Sequence, residues 1–173
     1  MSFSTTDADS KWVTQIVEQY HDRLVRYAHR IVGDVQSAND IVQDTFMKLC
    51  GEDAERLQPI VAPWLYRVCR NRAYDIRKKE RRMSSTSFAE LSKEIATTNS
   101  PDHAASVNEE ATKALAALAC LPENQQEVIR LRIEHGLSYA QISEVTQLST
   151  SNVGYLLHTG LKTLRTKLAT STA

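Results

Sequence analysis

No stretch of this 173-residue chain approaches the roughly 18 consecutive apolar residues that a membrane-crossing helix needs. The N-terminus is rich in Ser, Thr and Asp instead of basic and then apolar, so the layout of a secretory leader is missing. A cytoplasmic location is the expectation. Cysteine is scarce: Cys50, Cys69 and Cys120 are odd in number and far apart, which argues against a disulfide framework or a metal knuckle. Each lies in a helix-like apolar pattern, and buried reduced thiols are expected. A Gly-rich phosphate loop, a nucleophile elbow and a His/Cys/carboxylate cluster are all lacking. The chain therefore reads as a non-enzyme that needs no metal and no cofactor. There is also no β-type alternation and no internal repeat.

An excess of charge of either sign is missing too, since 21 basic residues balance 21 acidic ones. The balance conceals a segregation. Residues 1–60 carry 6 basic and 10 acidic groups, 61–83 carry 8 and 2, 84–127 carry 2 and 7, and 128–173 carry 5 and 2. One short basic block between acidic surfaces suits a patch that meets a polyanion.

The apolar pattern is helical throughout. Ile16, Tyr20, Leu24, Tyr27 and Ile31 recur at three- and four-residue steps, which predicts an amphipathic helix over residues 10–32 that stops at Gly33. Ser37 with Asp40 has the form of a capping box. The helix it opens should bury Ala38, Ile41, Val42, Thr45, Phe46 and Leu49, leave Asp40, Gln43, Asp44 and Met47 on another face, and end at Gly51. A third helix should start near Pro63 and bury Leu65, Val68, Cys69, Ala73 and Ile76. Residues 84–107 are rich in Ser, Thr and Asn and contain Pro101, so they read as a linker with room for a short helix near 88–95. Beyond it, residues 108–119, 123–134, 138–146 and 150–169 read as four more helices. The expectation is an all-α chain of two small helical domains, 1–83 and 108–173, joined by a flexible linker over 84–107.

Two segments carry functional chemistry. In the third helix Trp64, Arg67, Asn71, Tyr74 and Lys78 fall on one face, with Arg70, Arg72, Arg77, Lys79, Arg81 and Arg82 around or beyond it. Cations along phosphates, with rings and amides for exposed bases, are what a single-stranded nucleic acid requires. A solvated basic helix with Trp64 in the core would look the same. In the second segment, Ser138 caps a short helix with Ala140, Ile142 and Val145 on its inner face, and a tight turn follows at residues 147–149. The next helix should bury Val153, Leu157, Leu161, Leu164 and Leu168 and expose Ser151, Asn152, Tyr155, His158 and Thr159. That is the grammar of a helix-turn-helix, whose second helix enters a major groove, although a plain helical hairpin has it as well.

Asp40-Ile41-Val42-Gln43-Asp44-Thr45-Phe46, then Pro63-Trp64-Leu65-Tyr66-Arg67-Val68-Cys69-Arg70-Asn71, then Leu121-Pro122-Glu123 with Gly136-Leu137-Ser138-Tyr139 occur in that order. In this order they resemble the region 2 and region 4 signatures of extracytoplasmic-function (group 4) sigma factors of the sigma-70 family. The likeness covers about residues 10–83 and 108–168. It implies that the chain binds core RNA polymerase through the β′ clamp and the β flap, and directs initiation by recognising −35 and −10 promoter elements and helping to open the duplex. Asp40, Ile41, Gln43, Asp44 and Met47 take the clamp-docking role. Arg67, Arg70, Asn71, Arg72, Tyr74, Arg77 and Lys78 take the −10 strand, with Asn71 at the position that captures an extruded base and Trp64 as a packing residue. Ser149, Thr150, Ser151, Asn152, Tyr155, His158, Thr159 and Lys162 take the −35 element. An anti-sigma factor is an expected further partner. A linker of about 25 residues spans about 25–30 Å as free coil but up to about 85 Å extended, so it must be held extended between elements more than about 35 Å apart.

One departure from the family pattern is plain: no Lys or Arg stands between Ser149 and Leu161, where relatives carry several. Weak isolated −35 binding with a shallow salt dependence is expected, with phosphate contacts left to Ser149, Thr150 and Ser151 and to Lys162, Arg165 and Lys167. A free-standing helix-turn-helix regulator, which would leave residues 40–46 without a purpose, and a helical interaction adaptor are the competing readings.

Overall fold

The spacing read at residues 10–32 becomes one helix, α1 (Asp7–Val32), in the computed structural model, which describes residues 7–86 and 109–171. Gly33 ends it in the left-handed conformation (φ 82°), its N–H donating to the His29 carbonyl at 2.7 Å. Asp34 immediately caps α2 (Val35–Leu49), its carboxylate accepting from the Ser37 N–H at 2.6 Å, and this bond holds the carboxyl below its usual range. The cap is therefore Asp34, not Ser37 with Asp40, because the chain turns in two residues and leaves no room for a later start. The helix closes at Cys50, one residue before Gly51.

The stripe of α2 is buried as the periodicity requires: Ala38, Ile41, Val42, Thr45, Phe46 and Leu49. Thr45 spends its hydroxyl on the Ile41 carbonyl at 2.8 Å, which satisfies a polar group inside the core. A one-turn helix, α3 (Ala54–Leu57), capped by Asp53, and a 3-10 turn over Gln58–Ile60 then lead into α4 (Val61–Thr86). Pro63 thus lies in the first turn of α4, two residues inside its start. The buried stripe of α4 is Leu65, Tyr66, Cys69 and Ala73, with Val68 and Ile76 only half-buried. At about 100° per residue Tyr66 belongs beside Cys69 and Ala73, and its ring meets Tyr27 edge-on at 5.3 Å. Helices α1, α2 and α4 pack pairwise into a three-helix bundle.

The second unit holds α5 (Glu109–Ala119), α6 (Glu123–Ile133), α7 (Tyr139–Thr146) and α8 (Thr150–Ser171). The chain divides between residues 97 and 98, within the stretch read as linker; residues 88–95 lie outside the described residues. Ser138 opens α7 with a full capping box: its hydroxyl accepts from the Gln141 N–H at 3.2 Å, and the Gln141 side chain accepts from the Ser138 N–H at 2.8 Å. Gln147 ends α7 in the left-handed conformation (φ 61°), and Ser149 caps α8 by accepting from the Asn152 N–H at 3.2 Å.

Inward of this turn lie Ile142, Val145, Val153, Leu156 and Leu157. Ala140 is exposed, since it stands about 200° around the helix from Ile142. Leu161, Leu164 and Leu168 are half-buried because α8, at 22 residues, outruns the 11-residue α5 and α6 and the 8-residue α7. Among the described residues there is no strand, and no helix is long and apolar enough to cross a membrane.

The two glycines of α8 do different work. A Cβ on Gly160 would lie 2.8 Å from Ile129 Cδ1 of α6, whereas one on Gly154 would meet only the Tyr139 ring at an ordinary 3.7 Å. A side chain at Gly160 therefore obliges the end of the Ile129 side chain to turn aside. Gly154→Ala should gain about 0.5–1 kcal/mol from helix propensity alone. Gly160→Ala should gain less, because the shift of Ile129 offsets part of the same propensity gain. Denaturant melts of the full chain check the difference between the two.

Candidate functional site

Burial of one side of α2 turns the other side outward. Asp40, Gln43 and Met47 are exposed, Met47 by 66%, and Asp44 is half-exposed. Ile41, grouped with them in the sequence, is fully buried and supports the face from behind. Asp40 accepts from Gln36 Nε2 at 3.3 Å within its own helix. Beside Gln43 and Met47 an open groove of about 400 Å³ runs between α1 and α2, lined also by Val13, Val17, His21 and Cys50. His21 lies parallel to the Phe46 ring at 6.4 Å and pairs with Asp22 at 2.9 Å. A large exposed methionine next to an apolar groove and flanked by carboxylates gives this face a hydrophobic centre and an acidic rim, the make-up of a protein interface.

On α4 the basic residues separate into three sets. Arg67, Asn71 and Lys78 are exposed along one line, open to a polyanion. Tyr74 is half-buried and carries two guanidiniums over its ring, Arg70 at 4.6 Å and Arg77 at 4.5 Å from the centroid. The ring thus places two cations instead of offering bare faces for a base; each such contact is worth about 0.5–1 kcal/mol at an exposed site. Arg72 belongs to neither set. It stands about 100° around the helix from Asn71, and its Nε donates to Asp44 Oδ2 at 3.1 Å. Both partners are about half exposed, 47% and 46%, so the pair stabilises by roughly 0–1 kcal/mol. Its consequence is one of position: it joins the acidic face of α2 to the basic helix. Trp64 is half-buried, in keeping with a packing role.

In the second unit, α8 presents Ser151, Asn152, Tyr155 and His158, with Tyr155 65% exposed, and Lys162 further along. Thr159 is turned inward. Its hydroxyl donates to the Tyr155 carbonyl at 2.8 Å and accepts from Gln125 of α6 at 3.3 Å. Ser149 is consumed as the cap, and Thr150 is exposed in the first turn. Tyr139 was missed in the sequence: 47% exposed, it lies against Gly154 with the Arg132 guanidinium 5.7 Å from its ring centroid. Only tertiary packing brings it to the recognition helix.

These elements define a class, an all-helical protein of two units whose second unit carries a helix-turn-helix. The Sigma-70 region 2 model matches residues 16–83, and the Sigma-70, region 4 model matches 112–164. Among curated relatives, the ECF RNA polymerase sigma factor SigW of Bacillus subtilis is 26% identical over 92% of this chain and 90% of its own length. The probable RNA polymerase sigma factor RfaY of Xanthomonas campestris is 30% identical over 89% of this chain, which spans 40% of RfaY. A solved structure of the sigma factor RpoE with the anti-sigma factor NepR from Bartonella quintana superposes with a TM-score of 0.67 at 22% identity, over 92% of this chain and 98% of that one; the likeness is one of fold. The chain belongs to the sigma-70 family, as an extracytoplasmic-function RNA polymerase sigma factor that directs promoter-specific transcription. Sigma factors are initiation factors, not enzymes.

The cysteines divide two to one. Cys69 is fully buried in the α1–α2–α4 core, and burial pushes its thiol up to about 12, while Cys50 and Cys120 are exposed. Two of the three thus depart from the expected burial, because each follows the end of a helix, where the apolar stripe opens to solvent. A disulfide reagent at pH 8 should titrate two thiols rapidly in the native chain and the third only on denaturation.

Proposed function

We propose that this chain is a group 4 sigma factor whose first module docks on the β′ clamp of core RNA polymerase through Asp40, Gln43, Asp44 and Met47. The carrying observation is that this face stands opposite a fully buried stripe of the same helix, so the fold presents it at fixed geometry. Its exposed methionine and apolar groove would supply burial, and its carboxylates charge selection for a basic partner. On this reading α4 engages the −10 strand. Opening a duplex needs no covalent step; it needs unstacked bases to find better partners, at a few kcal/mol for each base extruded. Arg67 and Lys78, with the Arg70 and Arg77 guanidiniums set on Tyr74, would hold phosphates around the Asn71 amide. Arg72, paired with Asp44, would join them from the edge next to the docking face. In the second module α8 would read the −35 element, with the β flap as polymerase partner.

The domain limits proposed are 1–83, 84–107 and 108–173, and the working location is the cytoplasm. The RpoE chain whose fold this one shares is in complex with an anti-sigma factor; regulation of this chain by such a partner is part of the proposal. A free-standing regulator would leave the α2 face without a role.

Run-off transcription with core enzyme tests the docking assignment. Asp40→Arg and Asp44→Arg should each cut promoter-specific starts at least tenfold, with helicity and melting nearly unchanged. Asp44→Arg loses only a surface ion pair of roughly 0–1 kcal/mol, and Asp40→Arg leaves that pair intact. Wild-type levels of starts from both variants would contradict the assignment.

A further inference from the structure

The recognition helix is notable for what it offers a base edge. Guanine is read best by a cation: Arg, or Lys, can bond its O6 and N7 together, and that is the commonest specific contact in the major groove. Between Ser149 and Leu161 this helix has neither. Lys162 follows Asn152 by ten residues, about 15 Å along the axis, which is the distance of the backbone and not of the same base pairs. Arg132, the cation beside Tyr139, is held over that ring and donates to the Leu137 carbonyl at 3.0 Å. His158 presents one ring edge at a time and forms no forked contact.

What remains exposed over the start of α8 is Thr150, Ser151, Asn152, Tyr155 and His158, with Thr159 drawn back to Gln125. An Asn amide matches adenine, donating to N7 and accepting from N6, and an apolar ring edge packs on the thymine methyl. Asn152 and Tyr155 are one turn apart and both point outward, with Tyr155 65% exposed. The backbone of Asn152 is fixed by its N–H bond to the Ser149 hydroxyl, so the side chain starts from a set position.

We propose that α8 selects a −35 element of A·T pairs beneath its first two turns, Asn152 reading adenine and Tyr155 packing on a thymine methyl, with guanine disfavoured there. This rests on the reading of the second module as the −35 reader. No cation backs these base contacts, and the cations of α8, Lys162, Arg165 and Lys167, follow further along the helix.

The test is initiation by core enzyme with the full chain from promoters whose −35 region is randomised. Enrichment of A·T over G·C by about tenfold at two or more neighbouring positions is expected, in line with the discrimination one good base contact provides. Asn152→Ala should flatten one of those positions, and Asn152→Arg should move it to guanine. Replacing thymine by uracil should weaken the wild type and leave Tyr155→Ala unaffected. Both side chains are exposed, so helicity should be unchanged in the variants. Guanine enrichment by the wild type, or a profile indifferent to both Asn152 variants, would overturn the proposal while leaving −35 reading in place. Initiation with no enrichment at any randomised position would overturn that reading and the proposal together.

Discussion

The burial of one stripe of α2 against α1 and α4 is the constraint on which the N-terminal module depends. Ala38, Ile41 and Leu49 are wholly buried and Val42 nearly so, and truncating any one large member would cost about 2–5 kcal/mol, a large part of a small domain's stability. Helical geometry then leaves no choice about the rest. With 3.6 residues per turn, Asp40, Gln43, Asp44 and Met47 must lie opposite that stripe. The proposed docking face is the back of the core, and the same packing that stabilises the module sets the geometry of that contact.

The same logic orders α4. Leu65, Tyr66, Cys69 and Ala73 face inward, so Arg67, Asn71 and Lys78 face solvent, while Arg72, between the two, reaches Asp44. Two surfaces of opposite sign thus meet at one ion pair on one small bundle. The exposed pair contributes little to stability, but it joins α4 to the acidic side of α2. In the second module the turn at Gln147 and the close approach at Gly160 play the corresponding part, bringing α6 and α7 against α8 so that its outer residues are presented from a rigid support.

Much of this was legible in the sequence, and the parts that were not have physical reasons. The stripe of α2 was read residue for residue because its period runs unbroken for four turns. The one-turn α3 and the 3-10 turn were missed because so short a segment shows no period, and the cap at Asp34 because a two-residue turn resembles the start of the next helix. The pairing of Arg72 with Asp44 depends on two helices meeting, which spacing within one helix does not show. The tyrosine clamp of Arg70 and Arg77, the approach of Tyr139 to Gly154 and that of Ile129 to Gly160 depend on groups meeting in space, which spacing along the chain does not reveal. The missing cations of the recognition helix were visible from the start; their weight became clear once Thr159 and Arg132 proved to be engaged elsewhere.

Whether the acidic face of the first module holds polymerase is open to one direct measurement: gel filtration of the full chain with core enzyme at moderate salt. Co-elution at one chain per core, lost when the charge at Asp40 is reversed, is the result that follows from the buried stripe and the face behind it. Separate elution of the wild-type chain, however well its last helices bound a duplex, would contradict it.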